Sequence, residues 1–234
     1  MRILLLGYGK MGKAIEKIAL DRGHVIAGTI DAENFTAIAS SNADVAIEFS
    51  QPEAAFNNIK ACLENNIPVA CGTTGWLDRK NEVDALTKKF NGTFFYASNY
   101  SVGVNILFRL NRQLAAMMKT FNEYRVSIDE THHTEKKDAP SGTAITLAEG
   151  LIAERIGRTW TKQATESKDD IVINSFRVDE VPGTHIVKYS SVIDDLEIRH
   201  IAHSREGFAR GAVMVAEWLP GKKGVLGMDD FLKF

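Results

Sequence analysis

The sequence has few cysteines, no excess of positive charge and no long apolar run, and each shortage excludes a class of protein. Its two cysteines, Cys62 and Cys71, fit reduced cytosolic thiols better than a secreted disulfide framework, although the pair could still form one bond. No cysteine and histidine spacing matches a zinc site, so we expect no metal. The formal net charge of −2 provides no basic surface for nucleic acid. No apolar run approaches the ~20 residues that cross a bilayer, so we expect no membrane partner.

Length and composition fit a soluble globular protein. The 234 residues suffice for one large domain or two modest ones, and 44% hydrophobic and 25% charged residues are ordinary proportions. Arg2 follows Met1 and leads directly into a short apolar strand, unlike a signal peptide. We therefore predict a cytoplasmic location.

A glycine-rich segment directly follows the first apolar strand. Residues 2–6 are nearly all apolar, as in a central parallel strand, and Gly7-Tyr8-Gly9-Lys10-Met11-Gly12 comes next, before an apolar helical stripe. In such a segment the first glycine turns tightly, the second lets backbone approach a pyrophosphate, and the third lets the helix pack close to the strand. Its place between strand and helix predicts a dinucleotide site.

Asp31 is the acidic residue that a dinucleotide site requires about 20 positions further on. It ends the predicted second strand, residues 24–30, where its carboxylate could bind both ribose hydroxyls of NAD. It would repel the 2′-phosphate of NADP, and Ala32 offers no compensating cation, although Lys10 and Lys13 could soften the exclusion. We predict that NADH is preferred and that NADPH is possible; the alternative is an ordinary turn aspartate.

Further strands and helices alternate up to residue 101, which predicts a doubly wound, Rossmann-like parallel sheet. Strands are expected at residues 44–49, 68–71 and 93–97, with helices at 52–64 and 76–90. Polar segments follow these strands at the edge where such sheets bind ligands. They could be plain turns, but their common position predicts a cofactor floor made of Phe49-Ser50, Gly72-Thr73-Thr74 and Ser98-Asn99-Tyr100.

The second half has a different pattern. A long helix at 104–121 precedes a strand at 123–131, and strands at 171–177, 184–190 and 196–203 have no helices between them. This predicts a smaller α+β domain with a mixed or antiparallel sheet, whose open face a partner subunit could cover. A last helix is expected from Arg205 to Leu219. We interpret His185, His200 and His203, which lie within the strand patterns, as structural or interfacial. We predict a dinucleotide-binding domain of residues 1–102 and 208–234, and a substrate-binding and oligomerisation domain of residues 103–207.

Residues 132–143 are the segment hardest to explain as scaffold. His132 and His133 stand side by side, Lys136 follows, and Ser141 is a good N-cap for an apolar-periodic helix. The N-terminus of a helix suits a carboxylate, and Gly142 would let that ligand come close. Imidazole and ammonium groups can supply protons. The segment could therefore bind and protonate an anionic small molecule; the alternative is a solvated basic loop before a capped helix.

Five stretches together carry a family resemblance: residues 7–12, 71–75, 97–105, 130–143 and 200–212. The most specific is the string His-His, Lys136 and Asp-Ala-Pro-Ser-Gly-Thr ending at Thr143. In these stretches the chain resembles the 4-hydroxy-tetrahydrodipicolinate reductase (dihydrodipicolinate reductase) family of diaminopimelate and lysine biosynthesis. The chain departs from the family in a glycine loop one residue shorter and a short segment between residues 31 and 45.

The resemblance implies a reaction and a role for each matching residue. Hydride from NAD(P)H would reduce a cyclic imine dicarboxylate, with His132 as the acid/base residue and Lys136 as the proton donor. His133, Gly142 and Thr143 would bind the substrate carboxylates, and a homotetramer would form through the second sheet. The residues implied to line the cofactor are Gly7, Tyr8, Gly9, Lys10, Met11, Gly12, Asp31, Gly72, Thr73, Thr74, Ser98, Asn99 and Tyr100.

Two other functions keep the first half of the chain. A related Rossmann dehydrogenase could act on another anionic imine or amino acid, with an altered 132–143 segment. A regulator that responds to NAD without catalysis would lack the proton donors and would carry a partner-binding element. The intact His132, His133 and Lys136 disfavour both, and the missing basic surface disfavours the second further.

Overall fold

The computed structural model describes residues 1–31, 34–167, 169–204 and 206–233. The chain divides into unit 1, Met1–Ser101 with Glu206–Phe234, and unit 2, Val102–Arg205. Among the described residues, no helix is long and apolar enough to cross a membrane. In chain order the elements are β1 (Arg2–Leu6), α1 (Lys10–Asp21), β2 (Val25–Ile30), β3 (Val45–Glu48), α2 (Pro52–Glu64), β4 (Val69–Cys71), α3 (Lys80–Lys89), β5 (Thr93–Tyr96), α4 (Val102–Met118), β6 (Arg125–His132), α5 (Gly142–Ala153), β7 (Thr159–Thr161), β8 (Asp170–Arg177), β9 (Gly183–Ser190), β10 (Asp195–Ala202), α6 (Glu206–Trp218), β11 (Gly224–Leu226) and α7 (Met228–Leu232).

The sheet of unit 1 has the order β11-β5-β4-β3-β1-β2, and every pairing in it is parallel. Residues 3–6 of β1 are apolar and 0% exposed, because helices cover both faces of the sheet. Their alternation sends Ile3 and Leu5 into one apolar cluster and Leu4 and Leu6 into the other. The predicted Rossmann-like parallel sheet is confirmed.

The close approach of α1 to β1 depends on Gly12. A Cβ atom on Gly12 would lie 2.4 Å from the carbonyl oxygen of Gly7, and backbone cannot move away as a flexible side chain can. The third glycine of the segment is therefore required for packing. It holds the N-terminus of α1 against the end of β1.

Unit 2 contains a five-stranded mixed sheet of order β10-β9-β6-β8-β7. The β6–β9 and β9–β10 pairings are antiparallel, and the β6–β8 and β7–β8 pairings are parallel. Helices α4 and α5 pack on one face, where Leu107 and Leu147 join Ile128 in the apolar core. The prediction of a mixed or antiparallel second sheet is confirmed as mixed.

Several elements differ from the sequence-based expectation. The predicted helix at 76–90 is divided into a 3-10 turn at Leu77–Arg79 and α3, and the buried indole of Trp76 donates to the carbonyl of Thr73 at 2.8 Å. The three-residue strands β7 and β11 were missed, because so short a run shows no periodicity. Ala32 and Arg205, which carried two of the expectations, lie outside the described residues.

Both thiols are free and buried, Cys62 in α2 and Cys71 at the end of β4. Burial raises the pKa of each thiol, and the nearby carboxylate of Glu48 raises it further. They are therefore inert neutral groups of the core.

We expect Gly12→Ala to destabilise unit 1. Alanine in a helix usually stabilises relative to glycine, but overpacking against the Gly7 carbonyl should lower the free energy of unfolding by about 2 kcal/mol. Thermal and denaturant unfolding without cofactor would measure this. The matched control is Gly207→Ala in α6, whose nearest neighbour would be the Ser101 hydroxyl at 3.7 Å. Equal stability of the two variants would contradict the packing role.

Candidate active site

On one face of the mixed sheet, the side chains of β6 change from apolar to polar towards the end of the strand. Alternate residues of a strand share a face, which places Ile128, Glu130 and His132 together. His132 is the last residue of β6, so the strand itself, rather than a loop, holds the predicted acid/base residue. The strands on either side show the same change from apolar to polar. Ile128 is paired with Ile173 and Val187, Glu130 is paired with Ser175 and His185, and His132 is paired with Arg177.

Glu130 is a fully buried carboxylate with two charged or polar partners. Its Oε2 contacts Nδ1 of His132 in a short hydrogen bond, and its Oε1 accepts from Arg177 Nη2 at 3.0 Å. Burial favours the neutral acid, but the hydrogen bonds from His132 and Arg177 outweigh it and lower the pKa of Glu130 to about 2. Because the carboxylate is ionised, Nδ1 of His132 carries the proton in this bond, which leaves Nε2 to meet a ligand.

The Nε2 side of His132 faces the backbone of β9 at Gly183. A Cβ atom at position 183 would lie 3.1 Å from Nε2 of His132. Glycine at position 183 leaves room for the imidazole, and the Cβ atom of any other residue would press against the ring. His132 itself is 8% exposed, so its ring is held on one side by Glu130 and limited on the other by this strand.

Arg177 joins the Glu130–His132 pair to the segment that carries Lys136. Besides Glu130, its guanidinium donates to the carbonyl of Asp138 at 2.7 Å and to the carbonyl of Lys136 at 3.3 Å. The ammonium of Lys136 contacts both carboxylate oxygens of Asp138, at 2.7 and 2.9 Å. The hydrogen bond from Lys136 lowers the pKa of Asp138. One arginine, absent from the sequence-based site, therefore positions both predicted proton donors.

The N-terminus of α5 lies beside this network. Ser141 is its N-cap, as predicted, and its hydroxyl accepts from the Ala144 amide at 3.2 Å. Gly142 is exposed, and the place of its missing Cβ is open space within 4 Å. Thr143 and His133 are half-buried. The first turn of α5 can therefore receive a carboxylate on its backbone amides.

His185 is a site residue that the sequence reasoning interpreted as structural or interfacial. Its ring centroid lies 5.1 Å from that of His132, and its Nε2 lies 3.0 Å from the hydroxyl of Ser141. Burial, followed by the nearby His132, lowers the pKa of His185 to about 4. The alternation of β9 did indicate that His185 points inward with Val187, but only the strand register shows which residues it meets.

Glu130, His132 and His185 each offer one metal-type donor atom, and these atoms lie within 4.8 Å of one another. Carboxylate and imidazole do bind zinc. However, Glu130 and His132 are at hydrogen-bond distance, closer than two ligands of one ion would stand, and Glu130 is also paired with Arg177. The geometry therefore favours a hydrogen-bonded network over a metal centre at these three residues.

Unit 1 has a groove at the edge where its strands end. A cavity of about 570 Å³ is lined by Gly7, Tyr8, Gly9 and Asp31 among the predicted cofactor residues. A second cavity of about 320 Å³ is lined by Met11, Gly72, Thr73 and Thr74. Both share Phe49 and Ser50 as lining, so the two cavities are parts of one groove. Lys60, which the sequence reasoning missed, adds a cation to the larger cavity.

The remaining predicted cofactor residues do not line these cavities. Tyr100 is 1% exposed, and its hydroxyl donates to the carbonyl of Cys71 at 2.9 Å, so its ring supports the floor from below. The Asn99 side chain accepts from the Ser101 amide at 2.9 Å. Gly12 packs against Gly7 as described above, and Lys10 and Ser98 are exposed outside the two cavities.

A second buried carboxylate, Glu48, holds the groove floor. It is 0% exposed at the end of β3. Its carboxylate accepts from the backbone N–H of Ser50 at 3.2 Å, the side-chain amide of Asn58 at 3.3 Å and the thiol of Cys71 at 3.1 Å. These donors come from the ends of β3 and β4 and from α2. The carboxylate therefore fixes the turn at Phe49–Ser50 that separates the two cavities.

Comparison with known proteins supports one family over nearly the whole chain. Residues 1–100 match the family described as dihydrodipicolinate reductase, N-terminus, and residues 103–232 match dihydrodipicolinate reductase, C-terminus. A Christiangramia forsetii protein named 4-hydroxy-tetrahydrodipicolinate reductase is 47% identical over 234 residues, covering 99% of this chain and 98% of that protein. A protein of the same name from Methanoregula boonei is 37% identical over 199 residues, covering 83% and 77%. The solved dipicolinate-bound dihydrodipicolinate reductase of Paenisporosarcina sp. TG-14 shares the fold, with a TM-score of 0.80 at 20% identity over 99% of each chain.

We expect Arg177→Gln to change how stability depends on pH. The pKa of Glu130 is about 2 when folded, against an ordinary 4.5, so its stabilising effect is present above pH ~4.5 and is lost as pH falls towards ~2. Without Arg177 the folded pKa rises towards the ordinary value. The variant should be less stable at pH 6 and should lose less stability between pH 6 and pH 3, as measured by denaturant unfolding.

Arg158→Gln is the matched control for this measurement. Arg158 is 84% exposed and faces Asp169 at 3.5 Å, and such surface pairs contribute little. It should behave like the unmodified protein at both pH values. If Arg177→Gln did the same, Arg177 would not be a significant partner of Glu130.

Proposed function

The chain belongs to the dihydrodipicolinate reductase family, and we propose that its reaction, the nicotinamide-dependent reduction of 4-hydroxy-tetrahydrodipicolinate in diaminopimelate and lysine biosynthesis, uses His132 and Lys136 as proton donors. The observation that carries this assignment is the network in which Arg177 joins the Glu130–His132 pair to Lys136. Such a network serves proton transfer, because it fixes an imidazole and an ammonium group beside a site for an anion.

Substrate carboxylates would bind at the first turn of α5. The backbone amides of Gly142 and Thr143 stand at the positive end of the helix dipole, and His133 would add an imidazole to the same ligand. A cyclic dicarboxylate held at two points can present its imine in one orientation only. Such positioning supplies a large part of a rate enhancement.

Protonation would be shared by Lys136 and His132. When bound, the nicotinamide supplies a hydride to a ring carbon of the substrate, and negative charge builds towards the imine nitrogen. The ammonium of Lys136 is paired with Asp138, and it can stabilise that charge and donate a proton. His132 would donate from Nε2 when both of its ring nitrogens are protonated, since its Nδ1 proton is bound by Glu130. General-acid catalysis of this kind contributes about 10²–10⁴-fold.

The groove of unit 1 fits a nicotinamide dinucleotide. Its glycine-rich wall, Gly7–Gly9, leads into the N-terminus of α1, which suits a pyrophosphate. Asp31 lies in the same cavity, where it would bind the ribose hydroxyls and favour NADH. Lys60 in that cavity, together with Lys10, provides the cations that would still admit NADPH.

A homotetramer and a cytoplasmic location stay predictions. Apolar side chains are exposed on β10 and in the turn before it, and an interface through the mixed sheet would bury them. They are Val192, Ile193, Leu196 and Ile201.

Lys136→Ala tests the proton donor. We expect kcat to fall about 10²-fold or more, while the dissociation constant of NADH stays unchanged, because Lys136 belongs to the substrate unit. Stopped-flow absorbance of NADH and fluorescence titration would measure the two quantities. The control is Lys137→Ala, an exposed neighbour of the same charge. A kcat for Lys136→Ala like that of the control would remove Lys136 from the chemistry.

Asp31→Ala tests the cofactor preference. Loss of the carboxylate removes both the ribose acceptor and the repulsion of a 2′-phosphate, so kcat/KM for NADH should fall and that for NADPH should rise. Asp21→Ala, at the exposed end of α1, changes the net charge equally and should leave the ratio alone. An unchanged ratio in Asp31→Ala would show that the ribose is bound elsewhere.

A further inference from the structure

The polar residues next to His132 continue as a row across the mixed sheet. Strand pairing sets Glu130 opposite Ser175 on β8 and opposite His185 on β9, and sets His185 opposite His200 on β10. Residues paired across strands point to the same face of a sheet. The row therefore runs from beneath the proposed proton donors to β10, the outermost strand.

Both histidines of this row have a buried ring nitrogen without a protein partner. The Nδ1 atoms of His185 and His200 have no hydrogen bond among the described residues, although neither is accessible. Leaving a buried polar atom unsatisfied is costly, and Asn111 Oδ1, Ser175 Oγ and Tyr189 Oη are in the same condition. The two histidine nitrogens differ from these atoms because imidazole exchanges protons readily near neutral pH.

The separation of His185 from the Glu130–His132 pair suits proton transfer. The rings of His132 and His185 are 5.1 Å apart, edge to face, and donor or acceptor atoms of Glu130, His132 and His185 lie within 4.8 Å of one another. Two hydrogen bonds of about 2.8 Å through one water molecule span such a gap. Transfer between His185 and the Glu130–His132 pair thus needs at most one bridging water.

The protonation chemistry of His185 and His200 also suits proton transfer. Burial, and then the nearby His132, lower the pKa of His185 to about 4, so its ring is neutral near pH 7 and can accept a proton at one nitrogen and release one from the other. Burial, and then the exposed His203, lower the pKa of His200. His200 is half-buried, so it is the histidine of the row nearest to solvent.

We propose that His200 and His185 relay a proton from solvent to His132, which restores the proton donor after each reduction. The inference rests on the proposed function, in which one proton leaves the Lys136–His132 pair for the substrate in every turnover. One proton enters at His200 for each one lost. It passes to His185, whose other nitrogen releases a proton towards His132, and no oxidant or further reactant is needed.

Stopped-flow kinetics of His185→Gln test this relay. Glutamine keeps an amide near the Ser141 hydroxyl but cannot transfer a proton through itself. The relay acts after the first reduction, so the first turnover should keep its rate, while steady-state turnover slows about tenfold or more. NADH absorbance should then show a burst of one equivalent per active site, with a larger solvent deuterium isotope effect on the slow phase. His200→Gln should change the same phase in the same direction.

Three results would overturn the relay. These are wild-type kinetics in His185→Gln, equal slowing of its first and later turnovers, and no recovery of steady-state turnover in His185→Ala with added imidazole. If His185→Gln fails to fold, His200→Gln decides by the same burst. Failure of the proposed function looks different: the unmodified protein would then show no substrate-dependent NADH oxidation, or Lys136→Ala would keep full kcat.

Discussion

The ionised carboxylate of Glu130, enclosed within the mixed sheet, is the interaction on which the geometry of the candidate site depends. A buried anion is tolerated only when it is paired and hydrogen-bonded. Glu130 meets this condition with His132 from its own strand and Arg177 from β8. The same guanidinium also holds the backbone at residues 136 and 138. The positions of the imidazole and of the ammonium group are thus set by one charge.

A buried carboxylate is stabilised in each of the two units, but by different hydrogen-bonding partners. Each has a buried carboxylate near the end of a strand, Glu48 on β3 and Glu130 on β6. Glu48 is surrounded by neutral donors, including Asn58 and the Cys71 thiol, and it shapes backbone. Glu130 is bound by a guanidinium and an imidazole, and it orients groups that can carry protons. The difference in partners explains why the first supports a groove and the second holds the candidate proton donors.

Local patterns in the sequence predicted what is local in the structure. The segment Gly7–Gly12, the N-cap at Ser141 and the apolar strand β1 all depend on neighbouring residues, and they were read correctly as sheet, turn and helix start. Glu130 and Arg177 are 47 positions apart, and His185 meets His132 only through the register of β6 against β9. The spacing of residues within one strand does not determine how that strand pairs with another strand far away in the sequence. The sequence therefore indicated His132 and Lys136 as candidate proton donors, but not the residues that position them.

The return of the chain to unit 1 has a consequence for how the protein is made. One of the two apolar layers of the parallel sheet takes Ala209, Ala212 and Val213 from α6, and the outer strand β11 is added after that. A ribosome synthesises these segments after unit 2, so the glycine-rich segment emerges long before its own core is complete. The contiguous residues of unit 2 can collapse earlier. During synthesis, one face of the nascent N-terminal sheet therefore stays apolar and uncovered until α6 has been made.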